Sequence, residues 1–498
     1  MNGQVINAVV TRPPRPGHAV TMAALGGTAS MPLTELYEQA GRLAVALAGE
    51  GIGRGDRIGI LASNRIEWLL LDLAALRLGA VTAGFEPVKF APGPELAKRY
   101  SLDMLFADRG EGEGIRPITD VAGLIAGVEP GAEPPAILYR PGDVTTIKFT
   151  SGSTGTPKGL APTVGSIDSS ISAVQRLFEH GAGHHRHPDN IFIFLPLSLL
   201  QQRYWVYSAL VFGHDLTITT YEAAFAVMGR AEPTVVMGVP GFFEAAKKHI
   251  ESRGPGKQKA AAIRLFGGKI RYLWTGSAPA RQSVLSFFSN LGFPIFEGYG
   301  LNETDIVSKN HPGAHREGSV GQVLPGKKVL IDADGVVSVQ SDHPVNWRYE
   351  YAAPGESERV FGPGGVVRTG DLGYLDEDGF LYIRGRADDV IVLDNGKKVI
   401  VRPLEEFLKA SPAIEDCVVL CPTQTHLVAV VSAASDQADT GAIRARLAEA
   451  NASFGPDEQI RDLVIAPERF SVANGMLTSQ FKPRRPEILR ACLGGAAR

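Results

Sequence analysis

The sequence predicts an α/β protein, with a large N-terminal domain of parallel-sheet α/β units and a small C-terminal α+β domain. Three observations predict this. The chain of 498 residues is too long for one compact domain and long enough for two or three. Strand-like and helix-like stretches alternate from residue 33 onward, the pattern of a parallel sheet. Beyond residue 390 the pattern restarts as strand, glycine turn and helix, followed by alternating strands, within about 110 residues, enough for a separate domain.

Taken in order, residues 1–30 read as irregular, with Pro and Gly clustered at the start. Residues 33–50 carry apolar side chains at helical spacing, and Gly51 and Gly53 end that helix. Residues 56–61 read as a strand, 67–78 as a buried helix and 80–84 as a short strand. Residues 144–149 are β-branched and aromatic, hence a strand. Residues 191–200 read as a buried strand broken at Pro196, and 234–241 as a strand ending in a turn before Phe242 and Phe243. Residues 271–280 read as a strand delivering Gly276, Ser277 and Ala278 to a turn. Residues 376–379 form a hairpin turn between two strands. In the last part, 390–393 is a strand, 395–399 a glycine turn, 403–407 a helix, 417–420 and 427–431 strands, and 440–449 a helix.

Composition excludes several classes. Hydrophobic residues at 44% and charged residues at 21% are those of a soluble globular protein. A net charge of −3 gives no general nucleic-acid footprint. Cys417, Cys421 and Cys492 are odd in number and lack paired spacing, so neither a disulfide framework nor a zinc site is expected, and a reducing, cytoplasmic location fits. No signal peptide and no integral membrane segment are expected: the apolar window at 68–77 is short and broken by charge. His184, His185 and His187 invite a metal reading, but no cysteine or carboxylate stands at zinc-finger spacing, and a solvated loop is simpler.

Residues 149–159, FTSGSTGTPKG, cannot pack a core. Three glycines, two serines, three threonines and one lysine leave almost no apolar side chain. Glycine permits close backbone approach, and exposed N–H groups, hydroxyls and Lys158 make an anion-binding concavity. The order is neither a Walker loop, because Lys158 follows proline, nor a G-x-G-x-x-G dinucleotide turn.

The stretch resembles the phosphate loop of the adenylate-forming superfamily, which includes acyl- and aryl-CoA ligases, and three later stretches resemble the same family in order. The resemblance implies a large N-terminal AMP-binding domain with a smaller β-rich part, residues 1–387, and a mobile C-terminal domain, residues 388–498, hinged at Asp388. It implies that Thr150, Ser151, Gly152, Ser153, Thr154, Gly155 and Lys158 hold phosphates. Gly276, Ser277 and Ala278 would line adenine, and Tyr299 in the segment 298–303 would stack on it beside Gly300 and Asn302. Glu303 would hold Mg²⁺, a hard cation suited to carboxylate oxygen. Asp371 in TGD would take the ribose hydroxyls with Arg386 nearby. Lys482 resembles the catalytic lysine of the closing L-T-x-x-x-K segment, and Gly396 would pass beside a pantetheine arm. Residues 201–205, Val239, Phe242, Phe243 and 299–301 would wall an apolar acyl pocket. Arg484, Arg485, Lys397 and Lys398 would either meet CoA phosphates or be solvated.

The implied reaction joins a small-molecule carboxylic acid to ATP as acyl-AMP and then to the thiol of CoA, or of a pantetheinylated carrier protein, with ATP, Mg²⁺ and CoA as cosubstrates. The family usually has threonine where Asn302 stands, an apolar or amide residue where Lys148 stands, and histidine or an aromatic near Leu199 and Leu200. The first two departures keep open a thioester-forming enzyme that uses preformed acyl-AMP, and the third bears on the gate between the acyl site and the thiol channel. A non-catalytic binding protein fits least, because Lys158, Glu303, Asp371 and Lys482 are all present.

Overall fold

The computed structural model describes residues 4–109, 114–150, 157–181, 189–395, 397–423, 425–477 and 483–494. Its N-terminal part is built on two large sheets. The first has six strands in the order Ile115–Pro117, Met104–Ala107, Arg57–Leu61, Val81–Phe85, Thr146–Thr150 and Lys158–Leu160. All of these pairs are parallel except the last, which runs antiparallel. The antiparallel return places the residues on either side of the phosphate loop on adjacent strands.

The second sheet has nine strands, with Asn190–Ile193, Val235–Gly238, Tyr272–Thr275 and Ile295–Leu301 among its parallel centre. Its edges turn antiparallel, through Asp305–Lys309 on one side and the hairpin Ala19–Ala24/Gly27–Pro32 on the other. That hairpin and the helix Val5–Thr11 replace the irregular start expected for residues 1–30. The helix buries Val5, Ile6, Val9 and Val10, which the Pro/Gly-rich stretch following it had hidden in the composition.

One hydrophobic cluster joins the two sheets, running from Ile58 and Ile60 through Leu69 to Ile191, Leu216 and Trp274. The helix Ile66–Leu78 lies inside it with every residue from Trp68 to Leu78 buried. A helix apolar all round is expected to be enclosed. Its two buried charges are paired: Asp72 with Arg203 at 2.8 Å and Arg77 with Glu133 at 2.6 Å.

A four-stranded antiparallel sheet follows, made of Lys327–Ile331, Val336–Ser341, Val366–Leu375 and Leu381–Arg386. The last part has its own core, in which Val399, Leu404 and Leu408 pack on Val419, Ala429 and Val431. Its three-stranded sheet is Ile414–Leu420, Leu427–Ala433 and Ile460–Ile465, the third strand pairing parallel with the second. Strand Ile460–Ile465 and helix Arg485–Leu493 were not expected from the sequence. Both are short and charged on one side, so their periodicity is weak. Among the described residues no helix is long and apolar enough to cross a membrane.

Candidate active site

Strand pairing builds the first half of the site. Asp371 on Val366–Leu375 stands directly across from Arg386 on Leu381–Arg386. The Arg386 guanidinium lies 3.0 Å from Asp371 Oδ1 and donates to the Thr369 carbonyl at 2.7 Å. Tyr299, at the end of the neighbouring sheet, donates its hydroxyl to Asp371 Oδ2 at 2.5 Å. Thr369 locks the turn by accepting from the Asp371 N–H at 3.0 Å while donating to the Val337 carbonyl at 2.6 Å. Between them Gly370 has φ +70°, and a Cβ there would stand 2.7 Å from the Arg386 guanidinium, so a side chain would strain the backbone and push that group aside. Burial, and then the Asp371 charge, push the Tyr299 hydroxyl well above the usual phenol range. Each Asp371 oxygen has one donor and keeps further acceptor capacity. That suits a pair of vicinal hydroxyls.

The second half gathers cation and carboxylate around Tyr349. The Lys158 Nζ sits 5.2 Å from the Tyr349 ring centre and forms an ion pair of 2.7 Å with Glu356. The Tyr349 hydroxyl donates to Glu303 Oε1 at 2.7 Å, and burial, then Glu303, push that hydroxyl well above its usual range. Register is set next door: Gly159 and Glu350 exchange backbone bonds of 2.9 and 2.7 Å, so Tyr349 and Glu356 are aimed from a fixed point. Glu303 leaves its second oxygen without a hydrogen bond to any described residue. One carboxylate of this kind suits Mg²⁺, which keeps several other oxygen ligands from water and phosphates.

A third element closes the gap. Strand Tyr272–Thr275 delivers Gly276, Ser277 and Ala278 beside the strand carrying Tyr299, and a Cβ on Gly276 would stand 3.3 Å from the Gly298 carbonyl. Ser277 has φ +69°, a conformation that costs a non-glycine residue about 1–3 kcal/mol and clusters at ligand sites. Ser277 and Ala278 are exposed at this turn.

The chain matches the AMP-binding enzyme family over residues 14–343 and the AMP-binding enzyme C-terminal domain over residues 388–469. It belongs to the AMP-binding enzyme family. Relatives include a long-chain-fatty-acid–CoA ligase of Mycobacterium tuberculosis, 27% identical over 91% of this chain and 89% of that one. A 2-succinylbenzoate–CoA ligase of Bacillus subtilis is 27% identical over 77% of this chain and 78% of that one. The fold is similar to that of O-succinylbenzoate coenzyme A synthetase of Bacillus subtilis, solved with ATP and a magnesium ion: TM-score 0.73, 21% identity, 94% of this chain and 96% of that chain. ATP-bound MatB of Rhodopseudomonas palustris gives TM-score 0.74 at 21% identity, covering 94% and 95%.

In this AMP-binding enzyme the structure therefore brings together Lys158, Glu303, Tyr299, Gly300, Asp371, Arg386 and the turn at Gly276, Ser277 and Ala278. Thr150 ends the strand Thr146–Thr150, and Asn302 is exposed at the turn before Glu303. Ser151, Gly152, Ser153, Thr154, Gly155, Gly396, Lys482 and the three histidines at 184, 185 and 187 lie outside the described residues.

Two expectations are corrected. Phe242 and Phe243, expected at the pocket wall, pack in the core: each is 1% exposed, on helix Pro240–Glu251, and Phe242 packs at 4.4 Å from Phe194 and 4.9 Å from Phe225. Arg485 is neither solvated nor free for CoA, because it is held by Glu405 at 2.7 Å and Asp389 at 3.0 Å. Lys148, the departure just before the phosphate loop, is paired. It is buried against Asp305 at 2.8 Å, with Tyr204 donating to the same carboxylate at 3.0 Å.

Sequence reasoning also missed Glu297. It accepts from the Ala280 N–H at 3.3 Å, and burial pushes its carboxyl up to about 7. Glu356 and Tyr349 were missed as well. Neither belongs to a motif, and both enter only because the strand Lys158–Leu160 pairs with residue 350.

Proposed function

We propose that this enzyme activates an apolar carboxylic acid with ATP as acyl-AMP and transfers the acyl group to the thiol of CoA. The supporting observation is that Lys158 and Glu303 meet at Tyr349 while Tyr299, Asp371 and Arg386 meet one strand away. ATP, Mg²⁺ and CoA are the cosubstrates. Mg²⁺, held by Glu303, supplies charge neutralisation on the phosphates.

A carboxylate is a poor electrophile and must attack another anion, so positioning and charge neutralisation carry the rate. Asp371 accepts the ribose hydroxyls and Arg386 keeps that carboxylate oriented. Tyr299 and the turn at Gly276, Ser277 and Ala278 bracket the base. Lys158, released from Glu356, meets the leaving phosphates together with the loop 151–155. Lys482 bridges the acid and the α-phosphate, as a mobile point charge on a long stem does well.

The chain divides at 387/388, and the small domain turns about Asp388, whose side chain is 87% exposed beside Arg386. That turn withdraws Lys482 and brings Gly396 toward the thiol arm. Pairing of Lys148 with Asp305 removes one reason to expect a missing adenylation half-reaction, and so favours the full ligase over use of preformed acyl-AMP. None of the three cysteines forms a disulfide among the described residues, which suits the cytoplasm.

The experiment is pyrophosphate release with ATP, Mg²⁺ and a panel of aliphatic, aromatic and polycyclic acids, with product masses read with and without CoA. Acid-dependent release and an acyl-CoA mass are expected. In Lys482→Ala, adenylation should be lost while thioester formation from supplied acyl-AMP largely survives. Equal pyrophosphate release in variant and parent would overturn the role of Lys482. A carrier-protein thioester in place of acyl-CoA would redirect the second half.

A further inference from the structure

Strand Asp305–Lys309 ends in a lysine that no motif accounts for. Lys309 is 4% exposed, and its Nζ lies 3.7 Å from the centre of the Trp274 ring. It makes no hydrogen bond and no ion pair with any described residue. The other buried cations among the described residues each have an oxygen partner: Lys148 has Asp305, Arg203 has Asp72, Arg77 has Glu133, and Lys327 has the Thr304 carbonyl and the Ser341 hydroxyl. Its head rests on the ring of Trp274, which is itself fully buried. An aromatic face recovers only part of the hydration an ammonium loses. Burial alone pulls its ammonium down to about 7. Among the described residues its partner is missing.

The place of Lys309 says what that partner is. Its cross-strand neighbour is Gly298, the residue before Tyr299. A Cβ on Gly298 would stand 3.5 Å from Lys309 Cγ, so the bare glycine makes room for the lysine stem. Trp274, under the ammonium, stacks on Trp205 at 5.9 Å, and Trp205 lies on the helix Leu200–Ser208, the expected wall of the acyl pocket. The reacting carboxylate must sit near the phosphates, at the Glu303 end of the strand pair. Lys309 stands at the other end, four residues beyond Asp305, or about 13 Å along a strand.

We propose that Lys309 is a specificity residue of the acyl site, and that the acid activated here carries a second carboxylate at the end remote from the reacting one. The proposal rests on the ligase reading above. The acid is then a dicarboxylate with an apolar spacer of medium length or bearing a ring, the spacer lying along Trp274 and Trp205 and the distal carboxylate completing the Lys309 ion pair.

The test compares α,ω-dicarboxylic acids of graded length with their monomethyl esters, in the parent, Lys309→Met and Lys309→Arg, by pyrophosphate release. In the parent kcat/KM should favour the best diacid over its ester by at least about tenfold, the range of one charged hydrogen bond. Lys309→Met should bring that ratio to one or below, and Lys309→Arg should keep it above one. The melting temperature of ligand-free Lys309→Met should equal or exceed that of the parent, since an unpaired buried charge is removed, and this also confirms folding. An equal diacid-to-ester ratio in parent and Lys309→Met would overturn the proposal. If no acid releases pyrophosphate, the ligase reading fails instead, and thermal shifts with diacid alone decide. Stabilisation of the parent but not of Lys309→Met would retain the Lys309 site, and equal shifts would remove it.

Discussion

Lys158 and Glu356 are held 2.7 Å apart in an ion pair, with both side chains mostly enclosed. The cation expected to meet phosphate already has a carboxylate, carried on the segment that also aims Tyr349 at Glu303. On the proposed reading, triphosphate displaces Glu356 from Lys158. Replacing Glu356 with Gln keeps the shape and removes the competing charge. The expected result is an ATP KM lowered by roughly three- to tenfold with little change in kcat, within the range for one partly exposed pair. Lys158→Ala should lower the adenylation rate by about 10²–10³. Steady-state kinetics of pyrophosphate release checks both, and a raised ATP KM in Glu356→Gln would show that Glu356 orients the lysine instead.

Asp371 is gripped from both sides, by Arg386 at 3.0 Å and Tyr299 at 2.5 Å. Asp371→Asn keeps the volume but weakens every bond that an ionised acceptor makes. Loss of charge-assisted hydrogen bonds of about 1.5–3 kcal/mol should raise the Kd for AMP by roughly ten- to hundredfold. Calorimetric titration with AMP measures this. An unchanged Kd would remove Asp371 from the ribose site.

The Lys148–Asp305 pair is a stability device. Lys148→Met strands a buried carboxylate that only Tyr204 then serves, and should lower stability by about 3 kcal/mol. Asp305 has φ +53°, which asparagine tolerates, so the double variant Lys148→Met/Asp305→Asn should recover much of the loss. Thermal midpoints of the parent, both single variants and the double variant complete the cycle. Additive losses would show that the two residues act independently.

Glu297 gives a pH signature. Its folded carboxyl sits at about 7, above the ordinary glutamate value of 4.5, because it is buried. The folded state therefore holds a proton that the unfolded state releases. Its contribution to stability is fully present below about pH 4.5 and is lost as pH rises toward 7, at no more than about 1.4 kcal/mol per pH unit. Glu297→Gln should melt higher than the parent at pH 8 and lose that advantage near pH 5. A constant difference across the range would assign the carboxyl an ordinary titration.

Much of the candidate site was legible because its residues sit in short segments with unusual composition. TGD at 369–371 and the segment 298–303 each combine a glycine with a charged or aromatic group at a strand end, and local sequence sets both. Gly370 shows why: a side chain on the backbone beneath Arg386 would push the guanidinium aside. Tyr349, Glu356, Glu297 and Lys309 were not legible. Each is an ordinary residue on an ordinary element, and its meaning comes from a neighbour more than ten residues away, such as Gly159 for Tyr349 and Trp274 for Lys309.

The sequence by itself determined the α/β class and the family, and it named Lys158, Glu303, Asp371 and Arg386 as candidates. Glycine placement, strand periodicity and motif order are local, and local constraints survive in a linear reading. Tertiary structure decided which charges are satisfied. Phe242 became core because helix Pro240–Glu251 packs inward, and Lys148 became a buried partner because Asp305 lies across from it. Lys309 alone among these cations was left on the face of Trp274. Burial and pairing are properties of packed elements, and a lysine has the same letter whether it faces water, a carboxylate or an indole.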